Sequence, residues 1–218
     1  GRDLNRIFPG SKKGPLASRF AYQLTNEILP VVHYAIDFHT GGAKRFNAPQ
    51  IRITENDEKL VELAQVFNAP FTVYSSNIKN SYRITCQKLN IPILLYEGGK
   101  SQDSDSGITT HGLDGLRRVL KYLGMLKTEF NPPQASKASF FIHKTQWLRA
   151  KYSGLLHIKV KISQWVEIVD VLAHITDPYG SFLHILKAKS SGYIINVNQS
   201  PIVHQGDALF HVSIDNHE

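Results

Sequence analysis

The sequence is poor in cysteine, methionine and tryptophan, and it has no long hydrophobic run. Its 218 residues include 1 Cys, 1 Met and 2 Trp. The single cysteine, Cys86, excludes an internal disulfide and favours a reducing compartment, so we expect a cytoplasmic protein. No apolar stretch approaches the roughly 18 residues that a membrane-spanning helix needs, so we expect no membrane partner. Low-complexity tracts are missing too, which indicates a folded chain.

Acidic residues are also fewer than basic ones. The chain has 25 Lys and Arg against 18 Asp and Glu, a formal net charge of +7. Such an excess is typical of a nucleic-acid surface or of a site for small anionic substrates. The cations are spread along the chain and form no basic run, so we predict a small anionic substrate and no nucleic-acid partner. Solvated surface charge is an equally good interpretation of much of the excess.

The pattern of apolar residues changes near residue 131. Before it, strand-like runs alternate with helical periodicity. The expected elements include a strand over 71–74 and helices over 15–29, 81–89 and 111–126, the last with a buried row of leucines, Leu113, Leu116, Leu120 and Leu123. This alternation predicts an α/β domain over 1–130, with a mixed, mainly parallel sheet flanked by helices. From 131 to 218, strand-like segments follow one another directly, which predicts a small all-β barrel or sandwich domain.

His39 and Glu97 lie at the carboxyl ends of apolar runs that we expect to form strands. His39 comes at the carboxyl end of a predicted buried strand, where ligand sites gather in open α/β sheets. Asp37 lies two residues earlier, so both side chains share one face of the strand. A histidine in this place alone is more often structural than a metal ligand. Glu97 follows the apolar run 91–96 and precedes two glycines, so we expect its carboxylate to project from a strand end into a crevice.

Three motifs occur in an order that resembles a known family. They are Asp3-Leu4-Asn5-Arg6, Asp37-Phe38-His39-Thr40-Gly41 and Tyr96-Glu97-Gly98-Gly99. Together they resemble the succinylglutamate desuccinylase/aspartoacylase family, and the resemblance covers nearly the whole chain. It implies a zinc carboxypeptidase-like fold and a zinc-dependent hydrolase that removes the acyl group from an N-acyl amino acid.

The resemblance also implies a role for each motif. His39 matches a zinc ligand, and Glu97 matches the general base that moves a proton between water and the leaving amine. The place of Asp37 on the strand face of His39 predicts a carboxylate that orients the ligand or a neighbouring amide, and one that only caps local backbone is nearly as good an interpretation. Asn5 and Arg6 match the pair that grips a substrate carboxylate.

Further arginines near the motifs are candidates for contact with the substrate. They are Arg2, Arg45, Arg52 and Arg83, of which we assign Arg45 and Arg83 to substrate binding. One of the four is a candidate to polarise the scissile carbonyl, and the spacing does not say which.

One expected motif is missing. The family takes its other two zinc ligands from a His-x-x-Glu pair, and no such spacing occurs in residues 1–218. We therefore expect the chain to be N-terminally incomplete, with those ligands upstream of residue 1. We expect one zinc ion per subunit of the complete protein. Residues 1–218 by themselves need not bind zinc, and we expect them to be inactive on their own.

Several alternatives stay open. The same clamp and base suit a metallocarboxypeptidase, and lost metal ligands would suit a catalytically inactive binding or assembly protein. The acyl group and amino acid of the substrate are open, and so is a homo-oligomer, since relatives often associate.

Overall fold

A branched mixed sheet organises the chain. The structure is a computed structural model and describes residues 3–214. Within these residues the strands are β1 (Ala35–Gly41), β2 (Arg45–Ile53), β3 (Phe71–Tyr74), β4 (Ile93–Lys100), β5 (Phe140–Ile142), β6 (Thr145–Arg149), β7 (Gly154–Ile158), β8 (Trp165–Val166), β9 (Val171–Thr176), β10 (Leu183–Lys187), β11 (Gly192–Asn198), β12 (Ile202–Val203) and β13 (Ala208–Ser213). The α-helices there are α1 (Leu16–Gln23), α2 (Glu58–Phe67), α3 (Tyr82–Lys88) and α4 (Ser106–Tyr122).

The larger sheet has the strand order β1-β4-β2-β11-β13-β6, with β3 attached beside β2, β5 beside β3, and β8 beside β11. The pairs β1/β4 and β2/β3 are parallel, whereas β2 is antiparallel to β4 and to β11. The predicted mixed α/β fold is therefore confirmed. Strand β2 was not predicted, because Pro49 interrupts it and polar residues outnumber the aliphatic ones that mark a strand. A register shift between Asn47 and Gln50 accommodates that proline.

The last third of the chain adds a second sheet, antiparallel and four-stranded, in the order β10-β9-β7-β12. Both sheets contribute buried side chains to one apolar cluster, whose members lie between Leu148 and Val212. This part thus has a core of its own, as in a sandwich. Strands from either side of residue 131 also share the larger sheet, since β11 pairs with β2 and β5 pairs with β3. The division into domains at this residue stays a prediction.

Side-chain caps fix where the helices begin. Asp57 caps α2 by accepting from the Leu60 amide at 3.1 Å, and Ser81 caps α3. Asp105 accepts from the Ile108 amide at 2.9 Å, so α4 begins earlier than the predicted start at residue 111.

The buried face of α4 also differs from the expected row of leucines, because Leu113 is 44% exposed. Gly112, Gly115 and Val119 face the core instead. A Cβ on Gly115 would lie 2.2 Å from a Phe67 ring carbon, so the glycine allows α4 to approach α2 closely. Periodicity of large residues could not reveal a face built on glycine.

The helix expected over 15–29 is interrupted. After α1 ends, a π-helical turn spans Leu24–Ile28 and a 3-10 turn spans Leu29–Val31. Leu16 and Phe20 lie on the expected apolar face, yet they are 71% and 54% exposed. None of the helices in the described residues is long and apolar enough to cross a bilayer.

Candidate active site

His39 and Glu97 meet on neighbouring parallel strands. They are direct partners in the register of β1 and β4. Strand β4 continues to Lys100 instead of ending at Glu97, and it carries one extra residue where the register shifts. Gly99 has a φ of 65° there, a left-handed conformation that favours glycine. The two glycines after Glu97 thus build a bulge in the strand and are not its end.

Asp37 holds the imidazole of His39. Its Oδ2 lies 2.8 Å from Nε2 of His39. Because an ionised carboxylate only accepts hydrogen bonds, Nε2 donates, and the lone pair of the neutral ring lies on Nδ1. This hydrogen bond is the main reason that the pKa of His39 is raised above 6.5, and burial opposes the rise. No hydrogen bond to Nδ1 occurs within residues 3–214, so that atom is available to a cation.

Glu97 is anchored through one of its two oxygens. Oε2 accepts from Nδ2 of Asn47 at 3.0 Å and lies 3.3 Å from Nη2 of Arg52. Across the described part of the chain, Oε1 of Glu97 has no hydrogen bond. The carboxylate is therefore fixed on one side, while its other oxygen remains able to take up a proton.

The register shift in β2 makes this double contact possible. Asn47 and Arg52 are five residues apart, and strict alternation along a strand would place them on opposite faces. The extra residue between Asn47 and Gln50 restores both to the face that carries Glu97.

Most of the predicted site residues line one small pocket. Its volume is about 90 Å³, and its lining includes Asn5, Asp37, Arg52, Arg83 and Glu97. Serines 75, 76 and 81 add hydroxyl groups. Burial and, after it, the nearby positive charge of Arg52 lower the pKa of Arg83 to about 10. Two guanidinium groups thus face the same pocket, which suits an anionic ligand.

Arg83 is also bound within the protein. Its Nη2 donates to the carbonyl oxygens of Ser75 and Ser76, each at 2.8 Å, and its Nε donates to Asn77. Nη1 donates to the Ser75 hydroxyl at 3.1 Å. One N–H of Nη1 is left for a ligand, so Arg83 orders the 75–77 loop as well as charging the pocket.

Asn5 and Arg6 are placed differently. Asn5 lies in a 3-10 turn, Leu4–Arg6, and its Oδ1 accepts from the Tyr82 amide at 2.7 Å. That bond leaves the amide NH2 of Asn5 for the pocket. Arg6 donates to the Asn5 carbonyl and lies 3.8 Å from Asp3, and it does not line the pocket.

Two other predicted arginines do not join this group. The guanidinium carbon of Arg45 lies 6.0 Å from the centre of the Trp147 ring, and Nε donates to the Gly42 carbonyl. The structure therefore places Arg45 outside the Glu97 pocket, and its role in substrate binding stays a prediction. Arg2 lies outside the described residues.

Asn47 and Asn196 were not predicted as site residues. Nδ2 of Asn196 donates to Oδ1 of Asn47 at 2.6 Å, and the two residues are partners in the register of β2 and β11. Both are buried, at 4% and 3% exposure. The pair joins positions 149 residues apart, which no local pattern reveals. Arg52 could have been predicted as a site residue in place of Arg45 only if β2 had been recognised as a strand.

The described residues fit a part of a zinc site. In zinc sites, a histidine ligand usually binds the metal through one ring nitrogen and donates the N–H of the other to a carboxylate. His39 donates from Nε2 to Asp37 in this way. Catalytic zinc takes three protein ligands. Within residues 3–214, no group of three or more His, Cys, Asp or Glu residues is arranged to hold a metal ion. His39 therefore fits one ligand position only.

The chain is similar to several known proteins. The model of a family described as "Succinylglutamate desuccinylase/Aspartoacylase catalytic domain" matches residues 1–123. The N-alpha-acetyl-L-2,4-diaminobutyric acid deacetylase of Halomonas elongata is 23% identical over 188 residues, and the match covers 81% of this chain and 54% of the relative. The chain thus spans about half the length of this curated relative.

Solved structures show the same fold. The apo structure of the ectoine utilization protein EutE (DoeB) from Ruegeria pomeroyi matches with a TM-score of 0.86 and 22% identity, over 99% of this chain and 70% of that one. A succinylglutamate desuccinylase from Silicibacter sp. matches with a TM-score of 0.85 and 24% identity, over 97% of this chain and 67% of that one. At such identities the likeness concerns the fold.

Proposed function

Because the chain belongs to the succinylglutamate desuccinylase/aspartoacylase family, we propose that its protein is a hydrolase that removes the acyl group from an N-acyl amino acid. The observation that carries the proposal is the pocket where Glu97 lies beside Arg52 and Arg83. A base beside two cations suits hydrolysis of an amide in an anionic substrate.

The proposal includes zinc as the cofactor. His39 would bind the ion through Nδ1, and Asp37 would hold the imidazole in the required tautomer. The remaining ligands have to come from outside the described residues. When bound, zinc supplies a Lewis acid that polarises the carbonyl and lowers the pKa of a coordinated water.

Glu97 acts as the general base in this mechanism. Its anchored oxygen, Oε2, keeps the carboxylate in place, while Oε1 accepts a proton from the attacking water and later returns it to the leaving amine. Arg52 keeps its positive charge beside the carboxylate throughout this exchange.

Asn5 and Arg83 would bind the carboxylate of the substrate. The free amide N–H groups of Asn5 and the remaining N–H of Arg83 line the same pocket. Arg6, the other half of the predicted clamp, would have to turn away from Asp3 to join them.

Other expectations also stay predictions. They are the carboxypeptidase-like character of the fold, the cytoplasmic location and self-association into a homo-oligomer.

The first test is hydrolysis of N-acyl amino acids by the full-length protein, with and without zinc. The panel contains N-acetyl-2,4-diaminobutyrate, which the name of the Halomonas relative indicates, together with N-succinylglutamate and N-acetylaspartate. We expect activity that needs zinc. Efficient cleavage of unblocked peptides in place of these substrates would favour the metallocarboxypeptidase alternative.

The second test is the variant Glu97→Gln, which keeps the size of the side chain and removes the base. We expect kcat to fall by about 100-fold or more while zinc stays bound. Glu129→Gln, at an exposed position, is the matched control. Full activity of Glu97→Gln would rule out the proposed mechanism, and zinc binding without any hydrolysis by the wild type would favour a binding protein.

A further inference from the structure

Strand β11 reaches the proposed base through two asparagines. Nδ2 of Asn196 donates to Oδ1 of Asn47, and Nδ2 of Asn47 donates to Oε2 of Glu97. We propose that Asn196 is a positioning residue: it sets the orientation of the Asn47 amide, and that amide holds Glu97 in the geometry needed for proton transfer. This inference rests on the proposed role of Glu97 as the general base.

The first step concerns the two ends of the Asn47 amide. One end is an acceptor and the other a donor, and a carboxylate can only accept. If the amide were turned round, its oxygen would face Oε2 of Glu97, and the contact would be repulsive. Asn196 favours the productive orientation, because its NH2 group binds the Asn47 oxygen at 2.6 Å.

The second step concerns burial. Asn47 and Asn196 are 4% and 3% exposed, so water competes little for their hydrogen bonds. Both side chains lie on the face that carries Glu97. Asn196 lies opposite Asn47 in the pairing of β11 with β2, and Asn47 lies opposite Gly99, two residues after Glu97, in the pairing of β2 with β4. The hydrogen bond between the two amides is therefore shielded from solvent.

The third step concerns the other anchor of Glu97. Arg52 contacts the same oxygen as Asn47, at 3.3 Å. Without the hydrogen bond from Asn47, only Arg52 would hold the carboxylate of Glu97. That group could then rotate so that either of its oxygens faces Arg52. Loss of the asparagine chain should therefore disturb the proton transfer more than substrate binding.

The test uses Asn196→Asp in the full-length protein. An ionised aspartate can only accept hydrogen bonds, so Asn47 would turn its NH2 group towards residue 196 and its oxygen towards Glu97. We expect kcat to fall by about 10-fold or more with KM nearly unchanged. Asn196→Leu removes the donor without adding a charge, and we expect a smaller loss of kcat. It also supplies the measurement if the aspartate variant does not fold.

Asn198→Asp is the matched control on the same strand. Asn198 donates to the Ala208 carbonyl and accepts from the Ser200 amide, and within residues 3–214 no hydrogen bond joins it to Asn47. We expect this control to keep its kcat. An equal loss in the control would mean a general effect of the added charge on β11 and would overturn the proposal.

A double variant separates positioning from a general structural effect. In the Asn47→Ala background there is no amide to orient, so Asn196→Asp, or Asn196→Leu in its place, should change kcat by less than about twofold. The full loss in that background would overturn the inference. So would wild-type kcat in Asn196→Asp while Glu97→Gln is inactive. An active Glu97→Gln variant would instead refute the general-base role of Glu97, and a wild type that hydrolyses none of the N-acyl amino acids would refute the proposed function itself.

Discussion

His39 and Glu97 lie directly opposite each other in the parallel register of β1 and β4. Neighbouring strands are about 4.8 Å apart, so the candidate ligand and the candidate base are fixed relative to each other by backbone hydrogen bonds. Each also has a polar neighbour that holds it, Asp37 for His39 and Asn47 for Glu97. The predictions below test these contacts and the packing around them.

Asp37→Asn should weaken zinc binding. The amide can still accept a hydrogen bond from His39, but it lacks the negative charge that increases the basicity of the ring. We expect a loss of zinc affinity of about 10- to 100-fold in the full-length protein, measured by competition with a chromophoric chelator. Asp103→Asn, which removes a carboxylate paired with Lys100 on the surface, is the control. Equal affinities of the two variants would contradict the role of Asp37.

Arg83→Lys should destabilise the protein as well as alter the pocket. Lysine keeps the charge but loses the fork that binds the carbonyl oxygens of Ser75 and Ser76. We expect the free energy of unfolding to fall by about 1–3 kcal/mol, measured with urea. Arg19→Lys, at an exposed position in α1, should leave it unchanged. An unchanged midpoint for Arg83→Lys would show that its hydrogen bonds do not stabilise the loop.

Gly115→Ala should be destabilising although alanine favours helices. The new Cβ would lie 2.2 Å from the ring of Phe67, which is fully buried between α2 and α4. We expect a loss of about 1–3 kcal/mol from this overpacking, measured by thermal or urea unfolding. The change Phe67→Leu should cost less in the Gly115→Ala variant than in the wild type. Additive losses would exclude a clash between the two residues.

His211 should make the protein less stable in mild acid. Its ring stacks on Trp147 at 4.3 Å, and burial, aided by the charge of Arg52, lowers its pKa to about 3. Between pH 6.5 and about 3 the unfolded chain binds a proton on this histidine that the folded chain does not, so stability falls as the pH falls. From pH 6.5 to 5 the loss amounts to roughly 2 kcal/mol.

The measurement is the free energy of unfolding at several pH values, compared with His211→Phe. Phenylalanine keeps an aromatic ring against Trp147 and cannot take up a proton. We expect a shallower pH dependence in the variant between pH 6.5 and 5. Parallel curves for the two proteins would mean that His211 does not titrate as described.

Local patterns predicted the apolar parts of the fold well. Strand β3 lies at the predicted residues, and α3, capped by Ser81, lies within the predicted helix over 81–89. Strand β2 was missed, because a strand next to a polar site carries Asn47, Gln50 and Arg52 in place of aliphatic residues. Polar residues that serve the site weaken the pattern by which a strand is recognised.

Prediction of the site depended mainly on contiguous motifs. Asp37, His39 and Glu97 lie in short motifs, and the structure brings all three together. Asn196 lies in no motif, and its contact with Asn47 depends on the pairing of β2 with β11.

The sequence by itself determined the family, the alternation of strands and helices, and the positions of His39 and Glu97, because these depend on residue types at short spacing. Only the tertiary structure decided which side chains surround them. Arg52 contacts Glu97 and Arg45 does not, although both lie on β2. The physical reason is strand register: Gln50 pairs with Glu97 and Asn47 with Gly99, so Arg52 lies close to the position opposite Glu97, whereas Arg45 lies beyond the position opposite Gly99. Sequence spacing does not reveal this register.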